Sequence, residues 1–408
     1  MSEILALPDS FTRMRYRSLI VAIAALILCA IGWAISPIAF FRSYLFAYLF
    51  FLGLTLGSMA WVMMHHLVGG GWGRAIQRIA EAAALNIVLM FVLFIPILCG
   101  LKWLYPWTDS HRLLRDAILR HKAGYLNTGF FTIRAFVYFA AWIGLTLWVV
   151  LASARFDRTQ SPALALWMRR VSAGGLVLYV LLMSLAGVDW IMSREPHYFS
   201  TIFGFILVVG HALTALLFLI IVLTLLVTRE PLRSFVTLGH FNDLGNLLLT
   251  CVILWAYVAF AQFLITWTGN IQEEVRWYYL RSKGLYGFFA AGLIVLHFLV
   301  PFFLLLSKQL KRSPEIIAKL AAALLCIRIL DIYWMVAPTG APVASPNRYW
   351  LNIAAPIGIG CLWLSAFLWN LSRMSLLAVS EHQEPSSSAE HHSDPQTGAH
   401  GAGHVHPA

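Results

Sequence analysis

Asp189-Trp-Ile-Met-Ser-Arg-Glu-Pro-His-Tyr-Phe-Ser200 sits near the middle of the chain, between two long apolar runs. It puts two acids, an arginine, a histidine and several aromatics into one short connector. Charge held this close to hydrocarbon is expensive, so it marks a place with a purpose. Pro196 cannot continue the helix before it, and Ser200 is placed to cap the helix after it. The stretch predicts a tight hinge joining two halves of a membrane protein.

The composition agrees. The residues are 60% hydrophobic and only 12% charged, whereas a soluble domain carries roughly 25% charged residues. A net charge of +11 raises the question of nucleic acid. The basic residues, however, lie scattered in short loops between apolar runs and form no continuous patch, so nucleic acid is set aside and orientation in a membrane takes its place. Three arginines precede the first apolar run with no small-residue cleavage site after it, which argues against a removable signal peptide. The cysteines, Cys29, Cys99, Cys251, Cys326 and Cys361, fall one to an apolar run. They have no spacing suited to an iron-sulfur cluster or a covalently attached haem.

Runs of about 20 apolar residues cross a membrane, and ten such runs can be counted. They lie near 18–36, 44–67, 76–99, 132–154, 172–191, 201–228, 244–267, 285–307, 315–337 and 350–372. An all-α integral membrane protein of ten transmembrane helices is therefore expected. Residues 1–17 precede the membrane domain, 18–379 form it, and 380–408 make a disordered histidine-rich tail of the composition that cannot build a core. An even number of spans puts both termini on one side. Arg13, Arg74, Arg155, Arg169, Arg229 and Lys311 stand for the basic residues on that side, which the positive-inside rule makes cytoplasmic. The central connector then faces the periplasm of a bacterial inner membrane. So does Leu101–Thr132, whose Trp103, Tyr105, Trp107 and Tyr125 suit a segment lying on the membrane surface or under a partner.

Polar residues inside apolar runs are the functional candidates. His211 and His297 both fall about ten to twelve residues from the connector side, roughly 15–18 Å deep at 1.5 Å per residue. Pro301 leaves the carbonyl of His297 without its usual donor. Three readings stay open for this pair: axial ligands of a haem, a proton relay, or plain hydrogen bonds to a neighbouring helix. Arg328 and Asp331 share one helix face at i, i+3. The functional reading joins them to Asp189, Glu195, His197 and Arg134 in one connector-side cluster. Glu81, His240 and Asp243 would form the opposite mouth, with His65 and His66 at the same surface and Asn86, Tyr257 and Gln262 between. Gly53 and Gly57 have the spacing that lets another helix come close.

Taken in order, several segments resemble the NrfD-like membrane subunits. They are His65-His-Leu-Val-Gly-Gly-Gly-Trp-Gly73, Leu104-Tyr-Pro-Trp107, Tyr125-Leu-Asn127, Asp189-Trp-Ile-Met-Ser193, Glu195-Pro-His197 and Phe199-Ser-Thr-Ile-Phe-Gly204. Asn242-Asp-Leu-Gly245, Trp255-Ala-Tyr257, Phe263 to Asn270, Glu273-Glu274 and Arg328-Ile-Leu-Asp-Ile-Tyr-Trp334 complete the set. Within that family the chain is most similar to the second, smaller NrfD-like subunit of alternative complex III, a quinol:cytochrome c oxidoreductase. Arg194 and Gln272 depart from the family pattern. The resemblance implies two four-helix bundles, about 44–191 and 201–337, plus two flanking helices. It also implies a subunit that borders or binds quinone or quinol and translocates protons while carrying no redox centre. Its partners would be a second NrfD-like subunit together with iron-sulfur and cytochrome c subunits that hold the iron-sulfur centres and haem, with lipid around them. A scaffold subunit of the same complex and a secondary transporter are the competing functions. The transporter expects related halves, and no convincing internal repeat is found.

Overall fold

The computed structural model describes residues 9–339 and 349–377; the histidine-rich tail at 380–408 lies outside the described residues. Among the described residues every regular element is a helix. The long ones, in order, are α1 Asp9–Ile35, α2 Pro37–Val68, α3 Gly71–Cys99, α4 Thr128–Thr159 and α5 Pro162–Trp190, then α6 Phe203–Leu226, α7 Leu238–Gly269, α8 Gly284–Leu306, α9 Pro314–Val336 and α10 Leu351–Leu371.

Local chemistry sets the ends of these helices. Pro37, Pro162 and Pro314 open theirs at a first-turn position, where the missing N–H is not needed. Asn127 Oδ1 accepts from Phe130 N at 2.8 Å, and Thr237 with His240 forms a capping box at α7. Between α2 and α3 the chain reverses through Gly69 and Gly70, at φ +73° and +100°, a backbone that side chains with a Cβ rarely adopt.

Among the described residues nine helices are long and apolar enough to cross a membrane. The helix α9 is not one of them. Lys319, Arg328 and Asp331 interrupt its apolar run, yet Arg328 and Asp331 are buried against other helices. On the outer faces large apolar side chains such as Leu181, Phe205 and Phe303 stand exposed, where a soluble protein would place charge. The chain is a multi-pass helical membrane protein.

The packing is organised around α2 and α6, which are buried along most of their length. Contacts run from α2 to α3, α3 to α4, α4 to α5 and α5 back to α2. A second circuit runs through α6, α7, α8 and α9, and α2 lies along α6 where the circuits meet. Helix α1 packs on α10, which covers α2 and α3. The close approach of α2 and α6 depends on glycine: a Cβ on Gly57 would stand 2.1 Å from the carbonyl oxygen of His211. Inside a membrane there is little hydrophobic force between helices, so contact this close is what holds them.

The segment 100–127 folds into four short helical turns that cover the central connector. Tyr105 OH donates to the Trp190 carbonyl at 3.1 Å, Trp107 Nε1 to Ser193 Oγ at 3.2 Å and Lys122 Nζ to the Pro196 carbonyl at 2.6 Å.

Candidate functional site

The buried ionisable groups fall into separate islands. Near the central connector Asp189, fully buried, takes a two-pronged pair from Arg134, Nε to Oδ2 and Nη2 to Oδ1, both at 2.8 Å. Tyr138 OH donates to Oδ2 at 2.8 Å. Arg134 also donates to the Tyr125 carbonyl at 3.0 Å and lies 3.8 Å above the Tyr125 ring. Both charges are thus hydrogen-bonded, the condition under which a buried pair survives. Beside them Trp190 fills the interior, packed on Phe94, Phe139 and Trp142.

In the second circuit Arg328 pairs with Asp331 one turn on, and its Nε donates to Thr214 Oγ1 at 3.1 Å. Gly210 makes room, since a Cβ there would meet the guanidinium at 2.3 Å. His211, on the next residue, lies with Nδ1 3.0 Å from Tyr179 OH. His297 is different. It is fully buried, both ring nitrogens lack a hydrogen-bond partner, and its ring stands perpendicular to Trp255 at 4.0 Å. The helix around it widens into a π turn at Leu293–Leu299, just before Pro301, which cannot donate back to the His297 carbonyl.

At the opposite end Glu81 is fully buried. It accepts from Arg78 Nη1 at 2.6 Å, Ser153 Oγ at 2.6 Å and Gln77 Nε2 at 3.0 Å, while Arg78 also pairs with Asp157. His66 Nδ1 lies 3.1 Å from Ser172 Oγ. His65 packs against Gly73 and Trp72.

Two expected groupings therefore come apart. On the connector side Asp189 joins Arg134, whereas Arg328 and Asp331 form their own pair. His197 turns to Asp116, 2.7 Å away, and Glu195 is held by its backbone, its N–H donating to the Met192 carbonyl and its carbonyl accepting from Tyr198 N, both at 2.9 Å. At the other end His240 accepts from Thr237 N at 3.1 Å as a helix cap and Asp243 is exposed, so neither joins Glu81. Asn86 binds Asn370 and the Trp363 carbonyl on α10, Gln262 binds Tyr198 and Thr266, and Tyr257 is exposed on the outer face. Among the described residues no side-chain hydrogen bond joins one of these islands to another.

Sequence reasoning passed over Arg78, Tyr179 and Arg281 as site residues and marked Arg194 only as a departure from a pattern. Arg78-x-x-Glu81 has the same i, i+3 spacing as Arg328-x-x-Asp331 and was open to the same inference. Arg194, the departure in the central connector, donates to the Val336 and Thr339 carbonyls at 2.6 and 3.2 Å. Arg281 donates to the Met335 carbonyl at 2.7 Å and to Thr339 Oγ1 at 2.8 Å. Burial brings the Arg281 guanidinium down to about 9, with Glu195 partly offsetting it, so it stays charged at neutral pH.

Fold and site together define a class: a polytopic helical membrane protein with several acid–base pairs buried in its interior. No family model matches the chain, and no curated protein does. Among the described residues no group of three or more His, Cys, Asp or Glu side chains is arranged to hold a metal ion.

Proposed function

We propose that the chain is the proton-handling membrane subunit of a quinol:electron-acceptor oxidoreductase of the alternative complex III kind. In this reading its ten long helices are two four-helix bundles, α2 to α5 and α6 to α9, with α1 and α10 flanking them. The chain borders or binds quinone, carries no redox centre itself, and works beside iron-sulfur and cytochrome c subunits and a second NrfD-like subunit. Both termini face the cytoplasm of a bacterial inner membrane. The circuits of helix contacts support the arrangement, and the ordered segments listed above support the family.

One observation carries the proton role. Acid–base pairs are buried at the connector end and at the opposite end, Arg134–Asp189 and Arg78–Glu81, with Arg328–Asp331 and Tyr179–His211 on helices between. Ionisable groups inside spanning helices are costly and mark ion pathways. Protons would pass between islands over waters, from carboxylate to histidine or tyrosine as side chains shift, while the arginines stay charged.

The gaps between islands favour a second reading, a scaffold subunit whose pairs only lock helices together. Asp331→Asn separates the two, because the amide keeps the shape and the bond to Arg328 but cannot carry the proton. In the intact complex reconstituted in vesicles, protons released per quinol should fall at least twofold. An assembled complex with an unaltered proton yield would leave the scaffold reading standing.

A further inference from the structure

Helices α7 and α8 meet along Val300–Leu306 but part toward the connector side. A cavity of about 550 Å3 enters past Phe260 and Ile294 on the lipid-facing surface, each 61% exposed, and reaches Trp255, Tyr278 and Asp331. Small-molecule sites commonly span about 300–1,000 Å3. Ala256 and Ala259 on α7 and Ala290 on α8 leave the room, and the wall is almost wholly apolar.

Just behind the inner wall lie polar atoms that nothing satisfies. Trp255 Nε1 is buried without a partner, and so are both nitrogens of His297 behind it. The perpendicular stacking of the two rings lets one N–H meet the other ring's face, a weak bond that serves one of three nitrogens. The remainder are the buried unmade bonds that native structures usually avoid. Buried indole nitrogens without a partner occur elsewhere too, at Trp142 and Trp190, but of the three tryptophans only Trp255 lines the cavity. The charged groups on the wall are engaged already, Asp331 with Arg328 and Arg281 with Trp277, Met335 and Thr339; of its two tyrosines Tyr198 is bound to Gln262, which leaves the phenol of Tyr278. A neutral head group fits where a charged one would find no counter-charge.

We propose that this cavity binds a lipid-soluble molecule with a neutral carbonyl or hydroxyl head and a hydrocarbon tail. A turn of the Trp255 ring brings its covered Nε1 to the head and opens the way to His297 behind it; the tail leaves between Phe260 and Ile294. The ring head of an isoprenoid quinone and the ester head of a single-chain neutral lipid share this chemistry. The site stands whether or not protons cross the molecule, although a ring-headed occupant would rest on the quinone reading above.

The test titrates decylubiquinone and monoolein separately into the full-length protein, extracted with whatever subunits accompany it, and counts bound molecules by native mass spectrometry. One probe should bind at one per chain. Trp255→Phe, which keeps the ring and removes the N–H, should weaken it about tenfold, and Ala259→Trp should fill the space and weaken it further. Tighter binding of decylubiquinone assigns the ring-headed source and tighter binding of monoolein the acyl source; either supports the site. If neither probe binds, or if Trp255→Phe binds as the parent does, the proposal is overturned. Should Ala259→Trp fail to fold, the Trp255→Phe titration still decides. Binding that persists while Asp331→Asn leaves the proton yield unchanged keeps this site and removes the proton path.

Discussion

At the residue scale, buried charge is the feature that most constrains this molecule. Arg134 and Asp189 are desolvated together, and each is tolerable because the other, Tyr138 and the Tyr125 carbonyl complete its bonds. Breaking such a pair on one side strands a charge and costs about 3–5 kcal/mol, whereas replacing both partners with apolar groups is often neutral. Arg134→Met should therefore lower thermal stability in detergent sharply, and Arg134→Met with Asp189→Leu should recover most of the loss. A double variant no more stable than the single one would show that the pair contributes more than its own neutrality.

Outside the spans the pair of Asp116 and His197 obeys a different rule, because it is partly wet. Slight burial pushes the Asp116 carboxyl up, but the His197 bond and the amides of Leu119 and Ile118 pull it further down, so the net direction is below the ordinary 3.8. A carboxylate with a lowered folded value adds stability that is fully present above the ordinary value and drains away as pH falls through the lowered one. Hydrogen exchange of residues 110–122, corrected for the intrinsic rate, should stay slow at neutral pH and quicken only in strong acid. Asp116→Asn should show the quick exchange already at neutral pH.

At the scale of elements, helices came readily from the sequence because apolar length is written locally. Ser313-Pro314 marks one start and Gly53-x-x-x-Gly57 announces a close neighbour, whereas the runs begun at 44 and 172 start at Pro37 and Pro162, because arginines shortly after those prolines break the apolar signal. Which helix comes close was not readable. That α6 is the neighbour, and that Gly57 sits on the backbone of His211, depends on contacts far apart in the chain. For the same reason the neighbours of His211 and His297 were not legible: Tyr179 and Trp255 look like ordinary aromatics of apolar runs. The cavity is invisible for a related reason, since it is made by three alanines that meet only once α7 and α8 are side by side. Gly57→Leu tests the element contact directly. Its Cβ alone would stand 2.1 Å from a carbonyl oxygen, so α2 and α6 must part. Folded protein recovered in detergent should fall severalfold, and a Gly124→Leu control, at a glycine with open space around it, should behave as the parent does.

At the scale of the whole molecule, two circuits of helices share the α2–α6 seam and are tied a second time at the connector end. That tie is Arg194. The last carbonyls of a helix have no partner inside it, and Arg194, reaching across from the central connector, takes those of Val336 and Thr339 while Arg281 takes that of Met335. The end of α9, which carries Arg328 and Asp331, is thereby fastened to the hinge that carries Asp189. A fork of planar donors is needed to hold two carbonyls at once, which lysine does not provide. Arg194→Leu and Arg194→Lys should then behave alike: hydrogen exchange around 334–339 should rise by about tenfold or more, each lost bond to a charged donor being worth about 1.5–3 kcal/mol. Exchange around Tyr138 and Asp189 should change little, because that island keeps its own bonds. If it rises equally, the hinge and the first circuit move as one body with α9, and the tie is wider than a single side chain.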